Sequence, residues 1–322
     1  VAASKGKGRL LFLTLLSYVA PYSSSTGRAA TVREGTDVSR NKKRERPDPA
    51  GLGLPAVGVD SHAHLDIEDF APQEVPEILA RARAAGVVQI GNVFMGPDAL
   101  AAHQALFDRY PEVFFLLGVH PCDAPGLSAA DMAAMEEAFG GEPRLKALGE
   151  IGLDYYWDAT TRSIQIGVFR DQLALARERS LPVVIHSRSA DADTLAVLDD
   201  MGFRGRPLLW HCFSGGPDLL EAVLGRGFFV SVPGPVTYAK NTAMVEAVRH
   251  LPLSRLLLET DSPYLAPEPW RGKRNEPAFS AFTAVKVAEI MQLPPDVVWR
   301  TAGDNARRFF GLEPPADMPV AS

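Results

Sequence analysis

The sequence predicts an α/β fold of the (β/α)8 TIM-barrel class, with additional C-terminal helices and a disordered N-terminal tail. Three observations predict it. Short apolar runs of four to nine residues, rich in Val, Ile, Leu and Phe, recur eight times after Val57, as strands buried on both faces should. Segments with apolar residues spaced by three and four lie between them. The runs begin about 28 residues apart, the period of a βα unit, and eight such units close into a barrel. The rival open, doubly wound sheet expects a glycine-rich phosphate loop after an early strand, and no G-x-G-x-x-G or Walker A pattern occurs.

Taken in order, the first strand is Val57–His62, followed by a helical pattern over Pro76–Ala85. The second strand, Val87–Val93, leads to a helix over Pro97–Arg109, and the third, Val113–His120, to one over Ala129–Phe139. The fourth is Leu145–Leu153 with helix Arg162–Ser180, and the fifth is Pro182–Ser187 with helix Asp191–Met201. Pro207–Phe213 and Phe228–Pro233 follow, with helices Asp218–Gly225 and Ala239–His250, and Arg255–Asp261 is the eighth strand. Helices Ala278–Met291 and Pro295–Phe309 finish the domain before a Glu-Pro-Pro stop.

The 322 residues have room for one large domain of roughly 250 residues plus a tail. Residues 1–50 hold ten Lys/Arg and four Asp/Glu, leaving 23 and 35 in the remainder, which carries −12. That charge shift, with the Ser/Thr/Gly/Arg-rich run from Tyr22 to Pro49, marks a tail that buries no core. The expected organisation is therefore a tail over 1–56, a barrel over 57–312 and a short C-terminal tail over 313–322. The overall charge of −6 excludes a generally basic nucleic-acid coat protein, and two cysteines exclude a disulfide framework. No apolar run reaches 18 residues, so no conventional membrane span is expected. Lys5, Lys7 and Arg9 precede the apolar run Leu10–Ala20, the layout of an export signal. Its cleavage region is poorly defined, and the expected location is cytoplasmic, with export through residues 5–20 as the alternative.

Barrel enzymes work at the C-terminal ends of their strands. There the sequence places His62 and His64 (first strand), Glu150 (fourth), His186 (fifth), His211 (sixth) and Glu259 and Asp261 (eighth). Residues two apart on a strand share a face, so His62 and His64 point into one space. Four imidazoles and two carboxylates exceed the needs of one ion and suit two divalent ions sharing a carboxylate. Glu150 is the expected bridge, with His62, His64 and Asp261 on one side and His186 and His211 on the other. Zn, Mn or Mg would serve as the metal. Asp261 is the expected general base, and Glu259 is placed to orient a ligand from behind. Of the other histidines, His103 and His250 read as helix-flank residues, and His120 sits at the rim for a substrate or structural role. Cys212 should point away from the site.

The motifs Asp60-Ser61-His62-Ala63-His64-Leu65-Asp66, Gly118-Val119-His120-Pro121, Gly149-Glu150-Ile151-Gly152-Leu153-Asp154-Tyr155, His186-Ser187-Arg188, His211-Cys212-Phe213-Ser214-Gly215 and Glu259-Thr260-Asp261-Ser262-Pro263 resemble the TatD family of metal-dependent deoxyribonucleases. The resemblance spans roughly residues 57–312. It implies a TIM-barrel hydrolase that cleaves phosphodiester bonds, as a DNase or 3′–5′ exonuclease on single-stranded DNA. It also implies ligand roles for His62, His64, Glu150, His186, His211 and Asp261, and substrate contacts for Arg188, Arg271 and Arg274.

The loop Trp270-Arg271-Gly272-Lys273-Arg274, in an otherwise acidic domain, fits backbone binding and base stacking. Two other classes compete. An amidohydrolase-like enzyme on the same barrel, such as an aminoacyl-tRNA deacylase or a deaminase, would bridge its ions through a fourth-strand lysine. Here Lys146 lies four residues before the strand-end Glu150. A non-catalytic scaffold would be expected to have lost ligands, and all six are present. Nothing in the sequence sets an oligomeric state.

Overall fold

A computed structural model describes residues 46–157 and 159–314. Eight strands form one sheet in chain order with every neighbouring pair parallel. They are β1 (Gly58–Ala63), β2 (Val87–Met95), β3 (Val113–Gly118), β4 (Leu145–Asp154), β5 (Val183–Arg188), β6 (Leu208–Trp210), β7 (Phe229–Val232) and β8 (Leu256–Leu258). Helices α1 (Val75–Ala84), α2 (Pro97–His103), α3 (Ala129–Gly141), α4 (Arg162–Glu178), α5 (Asp191–Asp200), α6 (Pro217–Leu224) and α7 (Thr242–His250) alternate with them. Helices α8 (Ser280–Met291) and α9 (Pro295–Phe310) follow. This is a TIM barrel.

Its seam closes just beyond β8. Ala63 bridges Ser262, Asp261 N–H donates to the His62 carbonyl at 2.9 Å, and His64 N–H donates to the Ser262 carbonyl at 2.8 Å. The buried Asp60 staples the same seam, accepting from Thr260 N at 2.9 Å and Thr260 Oγ1 at 2.6 Å. Burial pushes its carboxyl up to about 8 despite those bonds.

Two apolar layers hold the barrel. Outward-facing strand residues such as Phe94, Phe115, Leu117, Ile185 and Trp210 pack against Ile78, Met135, Phe169 and Val197 of the helices. Inward-facing Val59, Val93, Phe114, Leu116, Ala147, Val184, Leu209 and Leu257 pack with Phe309 and Phe310 of α9. The Phe114 and Phe310 rings lie 4.8 Å apart, and Phe229 and Phe309 lie 5.5 Å apart. Helix α9 therefore stoppers the end where strands begin, and the opposite end is left for chemistry.

Two β-bulges decide which side chains face that end. In β1 the three steps from Asp60 to Ala63 oppose only two on β2, Ile90 to Asn92. In β4 the three steps from Leu148 to Ile151 oppose two on β5, Val183 to Ile185. Each extra residue flips the alternation once. Val59 is in the inner layer and Ala63 in the outer, so His62 and His64 turn inward. Leu148 and Ile151 both lie in the outer layer, so Glu150 turns inward.

The structure departs from sequence expectation in three places. Helix α2 stops at His103, and a 3-10 turn over Gln104–Phe107 drops Phe107 between Phe94 and Phe115. Strands β6 and β8 are shorter than their apolar runs. The chain leaves the ladder through left-handed residues, Cys212 at φ 49° and Asp261 at φ 56°.

Residues 46–56, expected in the tail, pack on the barrel instead. Trp299 Nε1 donates to the Pro55 carbonyl at 2.8 Å, Trp270 Nε1 to that of Pro47 at 3.0 Å, and Leu54 joins the core. Pro49 is buried and Leu54 and Pro55 are half-buried against the barrel, a short apolar stretch masked by the charged, Ser-rich run before it. The export-like segment at 5–20 and residues 315–322 lie outside the described residues. A chain beginning at Val57 should melt about 5 °C or more below one beginning at Arg46, from lost burial and hydrogen bonds. Equal melting temperatures by calorimetry would return 46–56 to the tail.

Candidate metal centre

Every expected ligand arrives at one end of the barrel. β1 supplies His62 and His64, β4 supplies Glu150, β5 supplies His186, and His211 and Asp261 stand just past β6 and β8. Strands β4 and β5 approach closely there. Gly152 has φ 146°, and a Cβ on it would run into the carbonyl oxygen of His186. Only glycine lets the two ligand-bearing strands meet.

Glu150 is central. Its Oε2 lies 2.7 Å from His211 Nε2, 3.5 Å from His62 Nε2 and 3.6 Å from His186 Nδ1, and its Oε1 is 3.9 Å from His120 Nε2. Asp261 Oδ1 lies 3.4 Å from His64 Nε2 and 3.9 Å from His62 Nε2. The His62 and His211 rings stack at 3.9 Å. The donor atoms form three compact groups: His62, His64 and Asp261; His62, Glu150 and His211; and His120, Asp154 and His186.

Chemistry and spacing both fit divalent ions. Donors around a tetrahedral ion with bonds of about 2.0–2.1 Å stand roughly 3.3 Å apart, close to the separations between Glu150, His62, His64 and Asp261. Both ring nitrogens of His62 and Glu150 Oε2 are buried without a hydrogen-bond partner. The short His211–Glu150 approach therefore lacks hydrogen-bond alignment. Such orphans cost about 1–3 kcal/mol each unless something takes their lone pairs.

The electrostatics agree. Burial, aided by the neighbouring His211, holds His62 well below the ordinary imidazole range, the neutral form that a ligand needs. Burial opposes charge on Glu150, yet His211 and His186 hold its carboxyl well below the usual range. Burial likewise opposes charge on His211, but Glu259 and Glu150 hold it well above its usual value. A cation entering the centre would displace that proton.

Two carboxylates orient histidines from behind. Glu259 accepts from His211 Nδ1 at 3.3 Å, Ser231 Oγ at 2.6 Å and Cys212 N at 2.7 Å. Asp154 Oδ2 lies 3.1 Å from His186 Nε2. Sequence reasoning named Glu259 and missed Asp154, although Asp154 is four residues past Glu150 and shares its face. Cys212 belongs to none of the three donor groups, and His250 pairs with Glu246 on an exposed helix end. His103 does more than flank a helix: its Nδ1 lies 3.2 Å from Asp66, which Asn92 also holds, behind the His64 loop. His120 Nδ1 accepts from Cys122 N at 3.1 Å, which leaves Nε2 facing the centre. Glu259→Gln should weaken metal binding about 10- to 100-fold by chelator competition while the barrel stays folded. Unchanged affinity would make Glu259 structural only.

The expected substrate cations separate. Arg188 stacks on Tyr156 at 3.8 Å, and Arg271 on Tyr238 at 4.2 Å; neither has a carboxylate partner among the described residues. Arg274, the third expected substrate cation, forms a two-pronged pair with Glu74 at 3.0 Å and sits over Phe70, contacts that anchor its loop. Trp270 is also engaged, stacked on Phe279 at 4.8 Å with Arg46 over its ring. Glu74 and Arg46 lie 200 residues or more from their partners in sequence.

A TIM barrel with imidazole and carboxylate donors gathered at its C-terminal end defines a metal-dependent hydrolase. The chain belongs to the TatD related DNase family, whose model matches residues 59–311. It is 35% identical to the uncharacterized metal-dependent hydrolase YabD of Bacillus subtilis, over 79% of this chain and 98% of that protein. It is 34% identical to the 3'-5' ssDNA/RNA exonuclease TatD of Edwardsiella piscicida, over 74% of this chain and 94% of that one. The solved structure of YjjV, a TatD homologue from Escherichia coli, superposes with a TM-score of 0.76 at 28% identity, over 80% of this chain and 99% of that one. Among the described residues no helix is long and apolar enough to cross a membrane.

Proposed function

We propose that this chain is a nuclease that hydrolyses phosphodiester bonds at a binuclear centre of Zn, Mn or Mg, acting as a 3′–5′ exonuclease on single-stranded DNA. The observation that carries the metal part is the set of buried, unpartnered donor atoms on His62 and Glu150. The nucleic-acid part rests on relatives named as ssDNA/RNA exonucleases.

Divalent ions, when bound, polarise a phosphoryl oxygen and make water a better nucleophile. His62, His64 and Asp261 would hold one ion and His186 and His211 the other, with Glu150 shared between them. Asp261 accepts the proton of the attacking water at its carboxylate, which is the more open of the two expected ligand carboxylates, 16% exposed against 6% for Glu150. His120 Nε2 donates to a phosphoryl oxygen. Arg188 and Arg271 draw the phosphate backbone to a domain that otherwise repels it. The amidohydrolase reading is not favoured, because Glu150, and not Lys146 near the start of β4, stands against His62, His186 and His211.

The test is protein stripped by chelation, reloaded with Zn, Mn or Mg singly, and given end-labelled single- and double-stranded DNA and RNA. Stripped protein should be inert, and one ion should restore a single-nucleotide ladder from the 3′ end of single-stranded DNA. Restored cleavage of aminoacyl esters or lactones without any phosphodiester cleavage would move the enzyme to the other class.

A further inference from the structure

Past the end of β4 the chain turns outward through Tyr155, Tyr156 and Trp157. Tyr156 is 51% exposed and Trp157 57%, and no other Phe, Tyr or Trp among the described residues is exposed. Two adjoining exposed rings make a contiguous apolar surface, the kind of feature that marks binding sites when it is large. Their setting says what such a surface would take.

The two rings meet edge to face at 5.0 Å and 87°. The Arg188 guanidinium lies 3.8 Å from the Tyr156 centroid and 5.4 Å from that of Trp157. Asp154 fixes the turn to the donor cluster: one carboxylate oxygen accepts from Tyr156 N at 2.8 Å and Trp157 N at 3.4 Å, while the other faces His186 Nε2 at 3.1 Å. Tyr155 ties the turn down by donating its N–H to the Arg188 carbonyl and its hydroxyl to Asp193 at 2.7 Å. A single carboxylate thus links a histidine of the centre to an open aromatic surface, beside a cation that has no carboxylate partner among the described residues.

We propose that Trp157, braced by Tyr156 and Arg188, is a stacking platform for the unpaired base of the nucleotide at the scissile bond. The proposal rests on the nuclease reading and deepens it. Stacking on a flat ring accepts every base, because each has a π-face, and an adjacent arginine adds a phosphate contact. A terminal base in a duplex is held by its pairing partner, and turning it onto Trp157 costs the unpairing and unstacking that a single-stranded end does not pay. The platform would therefore make the enzyme select single-stranded ends. It also moves the stacking role from Trp270, whose ring is packed against Phe279, to the turn after β4.

The experiment is a cycle between ring and base on the metal-loaded enzyme. Wild type, Trp157→Ala and Trp157→Phe are assayed on a single-stranded oligonucleotide with a normal 3′ residue and on one ending in an abasic sugar. On the normal end, Trp157→Ala should raise KM roughly 5- to 100-fold with kcat little changed, and Trp157→Phe should recover most of the loss. On the abasic end, wild type should already show the raised KM, and Trp157→Ala should add nothing. Unchanged KM on the normal end, or equal losses on both ends, overturns the platform while leaving nuclease activity standing. So does sedimentation in which Trp157→Ala splits a dimer and KM stays put, which gives the rings to a second copy of the chain. A wild-type enzyme that neither binds nor cleaves oligonucleotides overturns the nuclease reading, and the platform with it.

Discussion

Glu150→Gln is expected to lose both metal ions and at least ~10²-fold of phosphodiesterase activity, comparable to removing a major charge-stabilising group. The substitution keeps the size of the side chain and replaces two charged oxygens with one neutral oxygen. Glu150 stands within 3.6 Å of His62, His186 and His211, so no partial loss confined to one ion is expected. His186→Ala should deplete chiefly one ion and His62→Ala chiefly the other, each leaving about one metal per chain where the parent holds about two. Elemental analysis of folded variants, with circular dichroism as the folding check, reads the pattern. Full metal content and full activity in Glu150→Gln would end the binuclear reading and bring a single-ion, deaminase-like site to the front.

Gly152→Ala should be the most damaging small substitution in the barrel. A methyl group there overlaps the His186 carbonyl, and the backbone conformation at φ 146° is strained for any L side chain. The clash is of a Cβ with a backbone carbonyl, so no rotamer change relieves it. A loss above ~4 kcal/mol is expected, worth roughly 10 °C or more in melting temperature for a domain of this size. Metal affinity should fall with it, because β4 and β5 can no longer bring Glu150 and His186 together. A melting temperature within a degree or two of the parent would mean that the strands separate at little cost.

Much of this molecule was legible from alternation and period. The eight apolar runs announced the strands because a barrel strand is covered on both sides, and His62 and His64 announced a shared face because they are two apart. Most of what escaped had no local signal. The left-handed turns at Cys212 and Asp261 occur at residues other than glycine, so the apolar runs alone gave β6 and β8 too much length. Arg274 looked free because its partner, Glu74, is distant in sequence. Trp157 and Trp270 look equally available on paper, and only tertiary packing leaves one open and covers the other. Asp154 was readable in principle, since it keeps the face of Glu150.

The two bulges also bear on how the length of these strands can change. A β1 of the same length that ran without its bulge, Val59 still inward, would swing His62 and His64 into the layer beneath the helices. A regular β4 with Leu148 still outward would turn Glu150 outward as well. Losing the extra residue together with its bulge restores the facing of every donor. A bulge and its extra residue can therefore be gained or lost only as a pair, and either change alone would leave a paired barrel without its inward donors.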